Sequence, residues 1–163
     1  MNIFVLDYDT KVCAQMHCDK HCVKMILETA QLLCGVHHMT GGEAPYGLSH
    51  KNHPCLIWAR ECIENYVWLC DLGIELCKEY THRYGKIHSC QTAMNEAEKI
   101  FEIKTGKTLL CHKKATPFAF AGPDEFKHDA SIDILTKYKR YIASKPWAAS
   151  NYLRDPSKKP SWL

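Results

Sequence analysis

From Met16 to Leu33 the apolar residues recur with the period of a helix that is buried on most of its sides. At about 100° per residue, His17, Lys20, His21, Lys24, Glu28 and Gln31 share an arc of about 100°. Met16, Cys18, Cys22, Val23, Met25, Ile26, Leu27, Ala30, Leu32 and Leu33 take the remainder. With so narrow a polar stripe, the other elements must pack around this helix. Lys20 and Lys24 stand one turn apart, where like charges repel by about 0.2–0.5 kcal/mol. His17 and His21 stack beside them, and Glu28 is the one counter-charge. A helix selected for stability alone would alternate the signs. The stripe suits an anion lying against it, a phosphate or a neighbouring carboxylate, with a solvated polar face as the alternative. Asp19 projects from the apolar side; it either caps a helix that starts there or is buried against a cation.

The rest of the chain supplies the packing. Ile3 to Leu6 read as an extended apolar arm, and Thr10 is the expected cap of a first helix reaching about His37. Met39 to Asn52 have the composition of a loop, which ends in Ser49-His50-Lys51-Asn52-His53-Pro54. Pro54 fits the first turn of a second helix capped by Asn52 or His53, so His50, Lys51, Asn52 and His53 surround a helix N-terminus that favours anions; a merely polar surface loop is the competing reading. This second helix should run to about Tyr84 and stop at Gly85, with Asn65 and Arg83 at the margin of its acidic face and Lys86 just beyond. A shorter helix over Gln91 to Ile103 is followed by an irregular stretch to Phe126 containing Lys113 and Lys114. Asp124 or Asp129 should cap a last helix through Ser144 bearing Lys139 and Arg140; a tail with Lys145 and Trp147, extended by its prolines, closes the chain. The fold class expected is all-α, a compact bundle of three or four helices forming one domain over residues 1–163.

Several kinds of chemistry are disfavoured. The chain has ten cysteines, but no CxxC pair and no HExxH motif, and the pairs His17/His21 and Cys18/Cys22 point about 100° apart, so no metal site is expected. Cys55, Cys62, Cys70 and Cys77 recur every seven or eight residues on an apolar face, where thiols behave as small hydrophobes. Without a secretion signal the thiols are expected to be reduced, in a cytosolic or nuclear compartment. No stretch has the length and hydropathy of a membrane span. Neither GxGxxG nor a phosphate loop occurs, and no cofactor is implied. A net charge of +3 permits a nucleic-acid partner without demanding one. Lysine chemistry fits better: Lys20 and Lys24 repel each other on a helix expected to be largely buried, and both effects favour a neutral, nucleophilic amine. Such an amine forms a Schiff base with a sugar or carbonyl carbon, and Glu28, or Asp19, would shuttle protons.

The segments AQMHCDKHCVKMILE, NHP at the second helix start, and HDASIDILTKYKRYIASKPWAASNY together resemble the pyrimidine-dimer DNA glycosylases of the phage endonuclease V type. The resemblance implies a small all-α enzyme with its active site on a long first helix, an N-terminal arm penetrating between helices, and an aromatic, basic tail that contacts DNA. In that family the nucleophile is the α-amine exposed when methionine is removed from a following threonine. Here residue 2 is Asn2, whose side chain blocks that removal, so the Met1 amine would have to serve. The family's helix-borne glutamate falls near Lys24, and the closest acid is Glu28.

The expected function is therefore a DNA-processing enzyme, an N-glycosylase with lyase activity or a related base-processing protein. Its candidate catalytic residues are Lys24, Glu28, Lys20, Asp19 and His17. His21, Gln31, His50, Lys51, Asn52, His53, Asn65, Arg83 and Lys86 are candidates for binding substrate, and Lys113, Lys114, Lys139, Arg140, Lys145 and Trp147 for holding DNA. Two alternatives remain: a non-catalytic protein that binds a nucleotide or other phosphorylated ligand, and an enzyme that modifies a nucleobase or nucleotide.

Overall fold

The computed structural model describes residues 1–104 and 114–163. Among them are seven α-helices and no strand: α1 (Thr10–Met16), α2 (Asp19–Met39), α3 (Pro54–Glu61), α4 (Ile63–Tyr84), α5 (Gln91–Lys104), α6 (Asp124–Lys127) and α7 (Ile134–Ala143), with a 3-10 turn at Pro156–Lys158. The all-α expectation holds, with more and shorter helices than expected. No described helix is long and apolar enough to cross a membrane.

Two helices expected to be continuous are broken, the first held by groups distant in sequence and the second by a neighbouring side chain. The first falls at His17 and Cys18, both extended. The carbonyls it frees are taken by α4 and the tail: Arg83 donates to Gln15 O at 3.0 Å and His17 O at 2.8 Å, and the Tyr152 hydroxyl to Met16 O at 2.6 Å. The freed amides go to Asn151, whose carbonyl accepts from Asp19 N and whose Oδ1 accepts from Lys20 N, each at 2.8 Å. Asn151 thus caps α2 from the far end of the chain, where Cys18 offers no side-chain cap. The second break is at the extended Cys62, and Asn65 Nδ2 donates to the Trp58 carbonyl at 2.8 Å.

Local caps differ in detail from expectation. Asp9, not Thr10, accepts from Val12 N at the start of α1. The last helix starts only at Ile134, where Asp133 accepts from Thr136 N at 2.7 Å, because Asp124 opens the separate α6 and Asp129 binds Ser131 N. Pro54 and His53 begin α3 as expected, and Gly85, with φ of 63°, ends α4.

Helix α2 packs against α3, α4 and α5, while α1 lies on α4. On α4, Gly73 faces α2 and α5, where a Cβ would run into Met94 Sδ and stand 3.0 Å from Thr29 Cγ2. The N-terminal arm Ile3 to Leu6 is buried in the core, pinned by Cys13, whose thiol meets Phe4 O at 3.3 Å and Leu6 N at 3.4 Å. All nine described cysteines are buried and unpaired, Cys55, Cys62, Cys70 and Cys77 included. The tail is not simply extended: turns and the 3-10 segment dock it on α1, α2 and α4 through Asn151, Tyr152 and Asp155.

Candidate functional site

The stripe of α2 divides by position. At its start, Asp19 is buried and fully engaged: Oδ1 pairs with Arg83 Nη1 at 3.1 Å, and Oδ2 accepts from Leu153 N at 2.7 Å and Arg154 N at 3.0 Å. Of the two expectations for Asp19, burial against a cation is the correct one. With its acceptors occupied it clamps the start of α2 to α4 and to the tail. Arg83 is likewise buried, bonded to Glu79 Oε1 at 2.8 Å as well as to Asp19. Asn65 is fully buried and joins Trp58 O, Thr116 Oγ1 and Thr116 N.

His17 also turns inward. It is completely buried, its Nδ1 lies 2.8 Å from Cys13 O, and Nε2 has no partner, so it is not positioned to touch phosphate. Burial, partly opposed by the bond to Cys13, lowers its pKa to about 4. His21 is buried at 6% exposure against Phe4 (ring centroids 4.7 Å apart) and Trp147 (5.3 Å). Burial first, then the charges of His17, Lys145, Lys24 and Lys20, lower its pKa to about 3. Around it the surface is cationic and aromatic: Lys20 Nζ lies 4.8 Å over the Trp147 ring, and Lys145 Nζ 4.2 Å over Tyr141.

One turn further, Lys24 Nζ is 3.2 Å from Glu28 Oε1. The two side chains differ in setting, 67% exposed for Lys24 and 9% for Glu28. Lys20 is exposed as well. The burial on which a lysine nucleophile was premised is thus absent for both lysines. Gln31, next on the stripe, is half-buried.

His53 caps α3, its Nδ1 accepting from Cys55 N at 3.2 Å. Burial lowers the pKa of His53, the positive Met1 α-amine and His50 lower it further, and Glu28 acts in the opposite sense. The buried Cys55 thiol is pushed up to about 11 by burial, and it too lies in the fields of the Met1 amine and Glu28. His50, Lys51 and Asn52 are exposed in the turn before His53, His50 with a left-handed φ of 53°.

Among the residues expected to hold DNA, Trp147 and Lys145 adjoin the α2 stripe through Lys20 and His21. Lys139 is half-buried and Arg140 exposed on α7, 3.9 Å from Asp129. Lys114 and Lys86 are exposed, and Lys113 lies outside the described residues. Among the described residues no group of three or more His, Cys, Asp or Glu side chains is placed to hold a metal.

A family model described as pyrimidine dimer DNA glycosylase matches residues 1–92, the span that contains the arm and α1 to α4. No curated protein and no solved structure matches.

Proposed function

The chain belongs to the pyrimidine dimer DNA glycosylase family, and from that premise we propose that residues 1–163 act as one domain that excises a damaged base from DNA and then cleaves the strand, with the Met1 α-amine as nucleophile and Glu28 as acid and base. The observation that carries this reading is the position of Glu28. It is the buried carboxylate on the α2 stripe, 3.2 Å from the exposed Lys24 amine.

The nucleotide must leave the base stack to expose its sugar. The neutral Met1 amine attacks C1′ of the deoxyribose; the N-glycosidic bond breaks, and the base departs with the bonding pair and takes up a proton. Opening of the sugar ring leaves an iminium joining Met1 N to C1′. Glu28 removes a proton from C2′, and the electrons expel the 3′ phosphate. Water then hydrolyses the imine and frees the amine. Asp19 has its acceptors occupied by Arg83, Leu153 and Arg154, which favours Glu28 as the carboxylate that moves protons. Lys24, exposed and beside Glu28, holds phosphate in this reading, as do Lys20 and Lys145, while Trp147 offers a ring to an unstacked base.

The test is borohydride reduction with a duplex containing an abasic site, followed by peptide mass mapping. The expected result is a covalent adduct on the peptide that begins at Met1. An adduct on Lys24 instead would transfer the nucleophile to the helix. No adduct, together with tight binding of a nucleotide or phosphorylated ligand, would replace this reading with that of a binding protein.

A further inference from the structure

Among the described residues, Leu153 is the most exposed of the large apolar side chains, at 81%. A single exposed leucine on a loose surface loop is ordinary. This one stands on backbone that is fixed on both sides. Its own N–H donates to Asp19 Oδ2 at 2.7 Å, and the next N–H, of Arg154, donates to the same oxygen at 3.0 Å. On the preceding side Tyr152 is buried, its hydroxyl bonded to the Met16 carbonyl at 2.6 Å, and Asn151 accepts from the amides of Asp19 and Lys20 at 2.8 Å each. One oxygen of a buried carboxylate is thus committed to the shape of the chain at the leucine.

The surroundings have the chemistry of a nucleic-acid surface. Arg154 is exposed, its guanidinium 5.0 Å from the Tyr84 ring, and Lys20, exposed at the start of the α2 stripe, reaches over Trp147. Cations beside an apolar tip suit a duplex, because they meet phosphates while the tip enters between base steps. Such a tip fills the gap that an extruded nucleotide leaves in the stack. It works only on backbone that does not yield to the stack, and the Asp19 clamp supplies that. Asp19 immediately precedes Lys20, so the leucine is fixed at the end of the stripe that leads through Lys24 to Glu28.

We propose that Leu153 is an apolar wedge that enters the base stack of duplex DNA beside the nucleotide to be extruded, and that the Asp19 carboxylate holds the backbone that bears it. The proposal rests on the DNA-processing function proposed above, and it adds the group that takes the place of the extruded nucleotide in the stack. The leucine makes and breaks no covalent bond; it stabilises the unstacked state of the DNA.

The test has two arms: binding to a duplex with a stable abasic-site analogue beside 2-aminopurine, a base whose fluorescence rises when it is unstacked, and base excision from a pyrimidine dimer placed in a duplex and in a single strand. The parent should raise the fluorescence on binding. Leu153→Ala, which truncates an exposed side chain, should bind the duplex with the same salt dependence, lose most of the rise, and excise from the duplex at least about tenfold more slowly. On the single strand, where no partner strand holds the base in place, it should keep the parent's rate. Leu153→Met, which restores an apolar side chain of similar reach, should recover both signals. Ile87→Ala, which truncates another strongly exposed apolar side chain, at 75%, should leave both unaltered. An undiminished rise and rate in Leu153→Ala overturns the wedge and leaves the glycosylase function standing. An equal loss on single strand and duplex, or an equal loss in Ile87→Ala, does the same. A parent protein that neither binds the duplex nor excises the dimer overturns the proposed function, and the wedge with it.

Discussion

Arg83 on α4 and Asp19 at the start of α2 form a buried ion pair, Nη1 to Oδ1 at 3.1 Å, that joins the site helix to the rest of the molecule. The same guanidinium closes two carbonyls of the α1–α2 break, and the second carboxylate oxygen fixes the backbone of Leu153 and Arg154. The pair thus lies between α2, α4 and the tail that carries Trp147. Glu79, bonded to Arg83 at 2.8 Å, shares the positive charge, so removing any one member leaves the others buried with charge or hydrogen bonds unmatched.

Asp19→Ala and Arg83→Ala should each cost about 3–5 kcal/mol, the range for breaking a buried pair. Urea denaturation measures this, and the double variant should lose less than the sum because the two residues share one network. A loss below about 1 kcal/mol for either, the range of exposed pairs, would remove the clamp from the account.

Asn151→Ala should cost about 1 kcal/mol, as loss of a helix cap does, although residue 151 is 131 positions from the amide it caps. Hydrogen exchange gives the site-specific readout: protection at Lys20 N should fall, while α4 and α5 keep theirs. Unchanged exchange at Lys20 would mean that water replaces the cap at no cost.

The periodicity of α2 was legible because burial imposes it, and so were the arm Ile3 to Leu6, Pro54 at the start of α3 and Gly85 at the end of α4. The breaks were not legible. At His17–Cys18 the pattern continues in register, and only Arg83, Tyr152 and Asn151, supplied from distant sequence, make an interrupted helix cheaper than a continuous one. For the same reason Asp19, Asn65 and Arg83 looked like site residues: a polar side chain on an apolar face has one sequence signature whether it meets a ligand or a buried partner. The pairing of Lys24 with Glu28 followed from i,i+4 spacing. Where an extended arm threads has no periodic signal, and the resemblance to the family alone pointed to the Met1 amine and Glu28 as candidate groups.

Acid should unfold the protein through His17 and His21. Their native pKa values, about 4 and about 3, lie below the ordinary 6.5, so below that pH the unfolded chain binds protons that the native state refuses. Stability from each histidine is complete above about pH 6.5 and is lost as pH falls towards its native value, by up to about 1.4 kcal/mol per pH unit. Melting temperature should decline over this window, and His17→Gln and His21→Gln should each flatten the decline. An equally steep profile in both variants would place the acid sensitivity elsewhere.

Lys24 and Glu28, 3.2 Å apart, should separate cleanly in function. If Glu28 moves protons and Lys24 meets phosphate, Glu28→Gln removes the acid/base group while sparing, or slightly strengthening, the attraction for DNA, because a negative charge beside the binding surface is lost. Strand cleavage should then fall by about 10²–10⁴, the usual contribution of a positioned acid or base. Lys24→Ala should do the reverse: the rate at saturating DNA stays near that of the parent, affinity falls, and the dependence of log K on log salt becomes shallower by about 0.9, the value of one phosphate contact on duplex DNA. The discriminating measurement is a salt titration of duplex affinity beside single-turnover cleavage for both variants. A Lys24→Ala protein that binds normally and no longer cleaves would assign the chemistry to the lysine, in spite of its exposure. A Glu28→Gln protein that cleaves at the parent rate would remove Glu28 from the reaction and reduce the pair to a surface contact on α2.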